Sequence, residues 1–367
     1  MKKKPVILFS ALNWGLGHSS RTTPVIKAFL QQGCDVLIAG YGNAGSFLQK
    51  EFPQLEYIHL PGINITYPKK GSMSLKMVLS AFSILTSIRK EHKALQNIIT
   101  EKNIDIIFSD NRYGLWSKKI PSIFMTHQVF IQTPKRLNFL RPIINNINHH
   151  YIKHFTECWI PDFEGNDNLS GDLSHNKDIP FPHYYINPLT RFNKKTTTKS
   201  GTILIIISGP EPQRTIFEEK ILCDISSVNE KIIVVKGKAD EEYSKTIINS
   251  ATIISHPSSQ DMEEMLNSCS FVISRPGYST LMDLVTLEKP AILIATPGQT
   301  EQELLSEIHH GKQFYSIKQS DFTLKKAIEK GKQLTCSPKY NTNNNLLSSN
   351  IIRLLDNKVD KDTNSSI

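Results

Sequence analysis

A histidine stands in a glycine loop near the start of the chain, Asn13-Trp14-Gly15-Leu16-Gly17-His18-Ser19-Ser20. An imidazole titrates near neutral pH, so a histidine exposed on such a loop is placed to take a proton from a substrate hydroxyl. A base of this kind needs a carboxylate to orient it. Asp110 ends another apolar strand in the same half of the chain, in the triplet Asp110-Asn111-Arg112. Three polar side chains at a strand end suit acceptor contact, although Asp-Asn is also the composition of a plain turn. A second grouping lies downstream, in Ser274-Arg275-Pro276-Gly277-Tyr278-Ser279-Thr280. Gly277 permits close backbone approach, and the amides of Tyr278, Ser279 and Thr280 open a helix, a natural phosphate site. Asp283 falls one turn on, where a carboxylate can hold a ribose diol. The next loop carries Gln299, Thr300, Glu301, Gln302 and Glu303, a cluster suited to sugar hydroxyls.

A parallel sheet is the element that brings such loops together. The chain opens with an apolar strand over Val6 to Leu12, the glycine loop, a helix and a second strand over Val36 to Ala39. Thr23 is the expected N-cap of that helix, with Pro24 at its first position and Gly33 just past its end. Gly15 and Gly17 fit a dinucleotide fingerprint, but Ser20 stands where the third glycine belongs, which counts against an NAD enzyme. Strands over Ile104 to Phe108 and Ile120 to Met125 continue the pattern. It restarts at Ile203 to Ile207. Around the second grouping, Phe271 to Ile273, a helix bearing Leu281, Leu284, Val285 and Leu287, and Ala291 to Ala295 repeat it. Strands alternating with helices define an α/β class of doubly wound sheets, whose ligands lie beyond the carboxyl ends of the strands.

The length, 367 residues, exceeds one ordinary core and predicts two domains. The formal charge of +9 points to an anionic partner. Nucleic acid is not that partner: there is no zinc spacing, no aromatic platform motif and no long basic helix. The five cysteines are scattered and follow no CxxC spacing, which implies reduced thiols and a cytoplasmic site. No apolar run reaches the ~18 residues of a membrane span, and the first apolar run reads as a strand and not a signal peptide. Residues 73–92 have helical apolar spacing. Lys135 to Phe155 reads as a basic amphipathic helix with Leu137, Leu140, Ile143, Ile144 and Ile147 on one side. It suits either an anionic membrane surface or a solvated face over a core stripe.

Ser274 to Leu305 resembles the donor-binding half of GT-B glycosyltransferases, in particular the MurG-type family 28 and, more distantly, the UDP-glucuronosyltransferases. In family 28 an Arg/Ser–Gly–x–x–Thr–x–x–Glu run binds the nucleotide, and its acid takes the ribose hydroxyls. Here Asp283 matches that acid, one methylene shorter. The family's Gln-rich turn contacts the sugar; Gln302 and Glu303 match it, with Glu where a second Gln is usual. The glycine loop ending in His18 resembles the family's first loop, and Thr126-His127-Gln128 resembles a strand end that faces the acceptor, which makes His127 a second candidate base. Ser208, Gly209 and Arg214 match a loop under the diphosphate, and His256 a position near the nucleobase.

The resemblance implies a GT-B fold, two doubly wound Rossmann-like domains facing across a cleft. Residues 1–190 form an acceptor domain and 191–345 a nucleotide-sugar domain; a helix over 346–356 returns to the first domain, and 357–367 is a disordered tail. It further implies an inverting transferase. A base, His18 or His127, deprotonates an acceptor hydroxyl, while helix N-termini and Arg275 neutralise the leaving diphosphate. Acceptor contacts fall to Asn13, Trp14, Gly15, Gly17, Asn111, Arg112 and Gln128. With no Asp-x-Asp motif in a suitable loop, neither metal nor cofactor is required. The expected partners are a nucleotide sugar, a hydroxyl acceptor on a lipid or cell-envelope glycan, and the inner face of a membrane. A GT-B nucleotide-sugar 2-epimerase and a non-catalytic nucleotide-sugar binder remain as alternatives.

Overall fold

The computed structural model of the chain describes residues 4–62, 81–175, 178–196, 200–237, 242–311, 313–336 and 345–364. They fall into two compact units. One gathers the described residues up to Arg191 together with residues 345–364; the other gathers the described residues from Phe192 to 336.

The first unit is built on seven parallel strands, β1 (Val6–Ala11), β2 (Asp35–Gly40), β3 (Glu56–His59), β4 (Ile106–Asp110), β5 (Ser122–Met125), β6 (Glu157–Ile160) and β7 (His183–Tyr185). Their order is β3-β2-β1-β4-β5-β6-β7. The order reverses between β1 and β4, the switch point at which doubly wound sheets bind ligands. Ala11 pairs with Asp110 there, and Leu12 N donates to Asp110 O at 3.0 Å. The central strands are buried on both faces, as near-continuous Val/Ile/Phe runs require.

Helix α1 (Gly17–Gln31) follows β1. Its Phe29 packs on Phe9, Phe108 and Trp159 at centroid distances of 5.4, 6.2 and 6.3 Å. Each buried aromatic contributes roughly 1.5–3 kcal/mol, so this cluster holds α1 on the sheet. The helix starts six residues earlier than the predicted Thr23 cap. Thr22 and Thr23 lie inside it and bond back to the carbonyls of His18 and Ser19, at 2.8 and 3.0 Å. Pro24 has no N–H for the carbonyl of Ser20, yet the helix continues past it. His18 therefore belongs to the first turn of a helix and not to a free loop. The predicted stop holds: Gly33 has φ +78° just past the end.

After α2 (Gly42–Glu51), helix α3 spans Ala81–Lys102; residues 73–80 of the predicted helix lie outside the described residues, and α3 extends ten residues beyond its predicted end. Lys135 to Phe155 is not one helix. Lys135–Leu140 is a 3-10 turn, and α4 (Arg141–Ile152) begins with Pro142 in its first turn. Its polar side faces in. Asn148 Nδ2 donates to the carbonyls of Gln128 and Val129 at 3.2 and 2.9 Å, and Asn145 Oδ1 accepts from Ile131 N at 2.7 Å. Phe139, Ile143 and Ile147 face out, 73%, 56% and 52% exposed, which excludes a core stripe at these positions.

The second unit holds β8 (Ile203–Ile206), β9 (Ile232–Val235), β10 (Lys245–Ile248), β11 (Ala251–Ile254), β12 (Phe271–Ser274), β13 (Ala291–Leu293) and β14 (Phe314–Ser316), in the order β10-β11-β9-β8-β12-β13-β14. All pairings are parallel except the β10–β11 hairpin, an edge the sequence reading does not contain; Asn249 turns it at φ +52°. The switch point lies between β8 and β12. Helices α5 (Gln213–Asp224), α6 (Ser259–Ser268), α7 (Tyr278–Thr286), α8 (Thr300–His309) and α9 (Leu324–Gly331) complete this unit.

The last helix, α10 (Leu346–Asn364), belongs to the first unit and packs on α1. Arg353 forks onto Glu157 at 2.7 and 3.1 Å and lies 3.7 Å over the Tyr184 ring. The helix continues through much of the segment predicted as disordered, since neither Gly nor Pro interrupts it. Among the described residues no helix is long and apolar enough to cross a membrane.

Candidate active site

Four side chains meet at the β1–β4 switch point. His18 comes from the first turn of α1, Arg21 from one turn further, Asp110 from the end of β4 and His127 from the loop after β5. His18 Nδ1 lies 2.8 Å from Asp110 Oδ1, the contact expected of a base and its orienting acid. Arg21 forks onto the same carboxylate: Nε donates to Oδ2 at 2.7 Å and Nη2 donates to Oδ1. Thr22 Oγ1 adds a hydrogen bond to Oδ2 at 3.1 Å. Burial pushes the Asp110 carboxyl up, but the guanidinium, then His18 and their hydrogen bonds, outweigh it and hold the group well below the usual carboxylate range. Asp110 is therefore ionised. Asp110, Arg21 and His127 are buried, and His18 is 13% exposed, so the His18 imidazole is the member of the four that reaches solvent.

The predicted acceptor residues divide. Asn111 follows Asp110 in a left-handed conformation, φ +58°, with Oδ1 buried and unpaired, a strained and unsatisfied position of the kind found at sites. Gly15 has φ +71° with open space beside it, and Gly17 begins α1. Trp14 donates its N–H to Leu12 O at 2.9 Å, closing the turn after β1. Asn13 braces the start of α2 by accepting from Ala44 N at 3.1 Å. Gln128 is half-buried, and its carbonyl is held by Asn148. Arg112 is a buried structural cation. It pairs with Glu91 at 3.0 Å, donates to Pro61 O at 3.0 Å and to Ser10 Oγ at 2.8 Å, and so ties α3 to the sheet.

In the second unit, the loops after β8, β12 and β13 carry the predicted donor residues. Gly209 has φ +111°, and a Cβ there would sit 3.7 Å from Thr296 Oγ1. Ser208 lies beside it, half-buried. Arg275 is fully buried, with Nη1 on the carbonyls of Ile294 and Ala295 at 3.0 and 3.2 Å and Nη2 on Gln213 O at 3.1 Å. It lies 4.3 Å over the Phe217 ring. No carboxylate among the described residues pairs with it, and burial pushes its guanidinium down to about 10. Its Nε, Ser274 Oγ and Thr296 Oγ1 are buried without partners. An uncompensated cation among unpaired polar atoms is costly to bury, and an anion would offset that cost. Gly277 caps α7, so the helix N-terminus faces this loop with Ser279 and Thr280 in its first turn and Asp283, half-buried, in its second.

The other donor candidates are placed less directly. Gln302 Oε1 and Glu303 Oε1 accept from Thr296 N and Gly298 N, both at 2.9 Å, bracing their own loop. Gln299 Oε1 is buried and unpaired. Arg214 is committed to Glu211 and Glu218 at 2.6 and 2.8 Å. His256 stands at the end of β11, its Nδ1 3.3 Å from Ser255 Oγ. Arg21 escaped the sequence reading. The available signal was its place three residues after His18, which puts both on one helical face.

Residues 205–354 match the glycosyltransferase family 28 C-terminal domain, and residues 6–159 match glycosyl transferase family 1. The chain is 23% identical over 300 residues, 78% of its length and 76% of the relative's, to the UDP-N-acetylglucosamine--N-acetylmuramyl-(pentapeptide) pyrophosphoryl-undecaprenol N-acetylglucosamine transferase of Legionella pneumophila. It is 27% identical over 144 residues to the protein of the same name from Halalkalibacterium halodurans; that match spans 38% of this chain and only 37% of the relative. The crystal structure of the Streptomyces nogalater glycosyltransferase SnogD has the same fold, with TM-score 0.62, 9% identity, and coverage of 97% of this chain and 100% of that one. With two doubly wound units, each carrying its polar loops at a switch point, the chain is a GT-B glycosyltransferase. Within that class its residues 205–354 resemble the MurG-like, family 28 type through that type's C-terminal domain.

Proposed function

We propose that the protein transfers a sugar, with inversion, from a UDP-sugar to a hydroxyl of a lipid-linked or cell-envelope glycan at the inner, anionic face of a membrane. The observation that carries this reading is the His18–Asp110 contact at the switch point, with the imidazole reaching solvent and an ionised carboxylate behind it. In the reaction His18 takes the acceptor proton as the acceptor oxygen attacks the anomeric carbon. The bond from that carbon to the diphosphate breaks with its electron pair on the phosphate oxygen. In the second unit Arg275 and the N-terminus of α7 offset the departing charge, and Asp283 holds the ribose. Two relatives named for UDP-N-acetylglucosamine and for an undecaprenol-linked acceptor support the donor and acceptor classes. The outward apolar side of α4, with Lys135, Arg136, Arg141 and Lys153 near it in sequence, supports the membrane surface.

The test is transfer from UDP-N-acetylglucosamine to a polyprenyl-diphosphate-linked sugar. His18→Ala should lower turnover by about two to four orders of magnitude and leave UDP affinity unchanged. Asp283→Ala should do the reverse, weakening UDP by about 1–3 kcal/mol. Full turnover by His18→Ala sinks the base assignment, and unchanged UDP binding by Asp283→Ala removes it from the ribose.

A further inference from the structure

Arg21 touches both candidate bases and the acid between them. It is 2% exposed; beyond its fork onto Asp110, its Nη1 lies 2.9 Å from His127 Nδ1 and its Nη2 3.0 Å from His18 Nδ1. A guanidinium has donors only. His127 Nδ1 must therefore accept from it, which leaves the His127 ring neutral with its proton on Nε2. At His18 the geometry resolves the other way. Asp110 is an ionised carboxylate and accepts only, so at 2.8 Å the His18 Nδ1 must donate to it. One Nη2 hydrogen goes to the same Asp110 oxygen, and because His18 Nδ1 carries its own hydrogen, the 3.0 Å approach of Nη2 to it is a contact and not a hydrogen bond. In its neutral form His18 thus keeps its lone pair on Nε2.

We infer that Arg21 is a positioning residue that fixes the two histidines in opposite tautomers, so that His18 is the base and His127 an N–H donor. The inference rests on the transferase reading for its chemical meaning, though the tautomers themselves do not depend on it.

The experiment is nitrogen–proton correlation NMR of the histidine rings in the full chain. At neutral pH the wild type should show His127 protonated at Nε2 with an unprotonated Nδ1, and His18 protonated at Nδ1 in its neutral form. In Arg21→Met, His127 should lose its single tautomer, and the transfer rate should fall. Arg21→Lys keeps the charge without the fork, and should hold the His127 tautomer closer to wild type than Arg21→Met does. A wild-type His127 that is cationic or protonated at Nδ1 overturns the inference, whether or not any variant folds. So does a folded Arg21→Met whose His127 keeps the wild-type tautomer. Wild-type tautomers as stated with no transfer from UDP-N-acetylglucosamine would count against the function and leave this inference standing.

Discussion

Arg21 and Arg275 are both buried guanidiniums near the strand ends of their sheets, and they live in opposite surroundings. Arg21 is compensated by Asp110, and each of its nitrogens has a partner. Arg275 has backbone carbonyls and an aromatic face, with one donor unmet and no carboxylate among the described residues. A compensated buried pair fixes geometry and presents no net charge to a ligand, whereas an uncompensated cation is costly until an anion arrives. On the proposed function, the first site is thus finished before substrate binds, as proton transfer requires, and the second is completed by the diphosphate.

The comparison breaks most easily at Asp110. Asp110→Asn leaves Arg21 buried without its counter-charge, and should lower unfolding free energy by about 3–5 kcal/mol in urea at neutral pH. The Asp110 carboxyl sits below its unfolded value of about 3.9. Its contribution is therefore complete above that pH and is lost as pH falls toward the folded value. The gap between wild type and variant should narrow from about pH 4 downward; a gap that stays constant into strong acid would mean the charge is not its source.

Arg275→Met should give the inverse pattern. The free protein should lose at most about 1 kcal/mol, because an uncompensated charge leaves with the side chain. UDP affinity by calorimetry should fall by about 1.5–3 kcal/mol, the value of a charged hydrogen bond. In the wild type, burial lowers this guanidinium to about 10, so it is still a cation at neutral pH, where UDP binding is measured. A free Arg275→Met protein as unstable as Asp110→Asn would erase the distinction between the two sites.

The smallest effect concerns the outer face of the first unit. Arg136→Ala should weaken co-sedimentation with anionic vesicles by about 1 kcal/mol, and added salt should weaken it further. Equal recovery on neutral vesicles would remove the membrane from the proposal. Binding lost instead on replacing Ile247, which is 69% exposed on edge strand β10, would move the docking face to the second unit.

Most strands were legible because buried parallel strands are written as unbroken Ile, Val, Leu and Phe runs. The His18–Asp110 contact was legible for a topological reason: His18 follows β1 and Asp110 ends β4, the two strands that flank the switch point. Arg21 was hidden by one local error. A helix beginning at Thr23 leaves Arg21 in a loop, and only the helix from Gly17 turns it onto the face of His18. The roles of Arg112 and Arg214 were not legible either, because each depends on a carboxylate brought by a separate turn or element, Glu91 and Glu218. The inside-out packing of α4 is written in no periodicity. It follows from loop carbonyls that need donors, which Asn148 supplies.

The return of α10 to the first unit also bears on how the protein is made. Ribosomal synthesis is vectorial, and the residues that clamp Glu157 and Tyr184 come from Arg353, after the whole second unit has been translated. The first unit to emerge is therefore the last to be finished. Until then Glu157, buried beside Trp159, holds only the indole N–H at 2.7 Å and lacks its guanidinium. Closing so long an intervening segment is entropically cheap, since the cost grows only with the logarithm of its length. A nascent chain stalled short of α10 carries on β6 a buried carboxylate without its counter-charge.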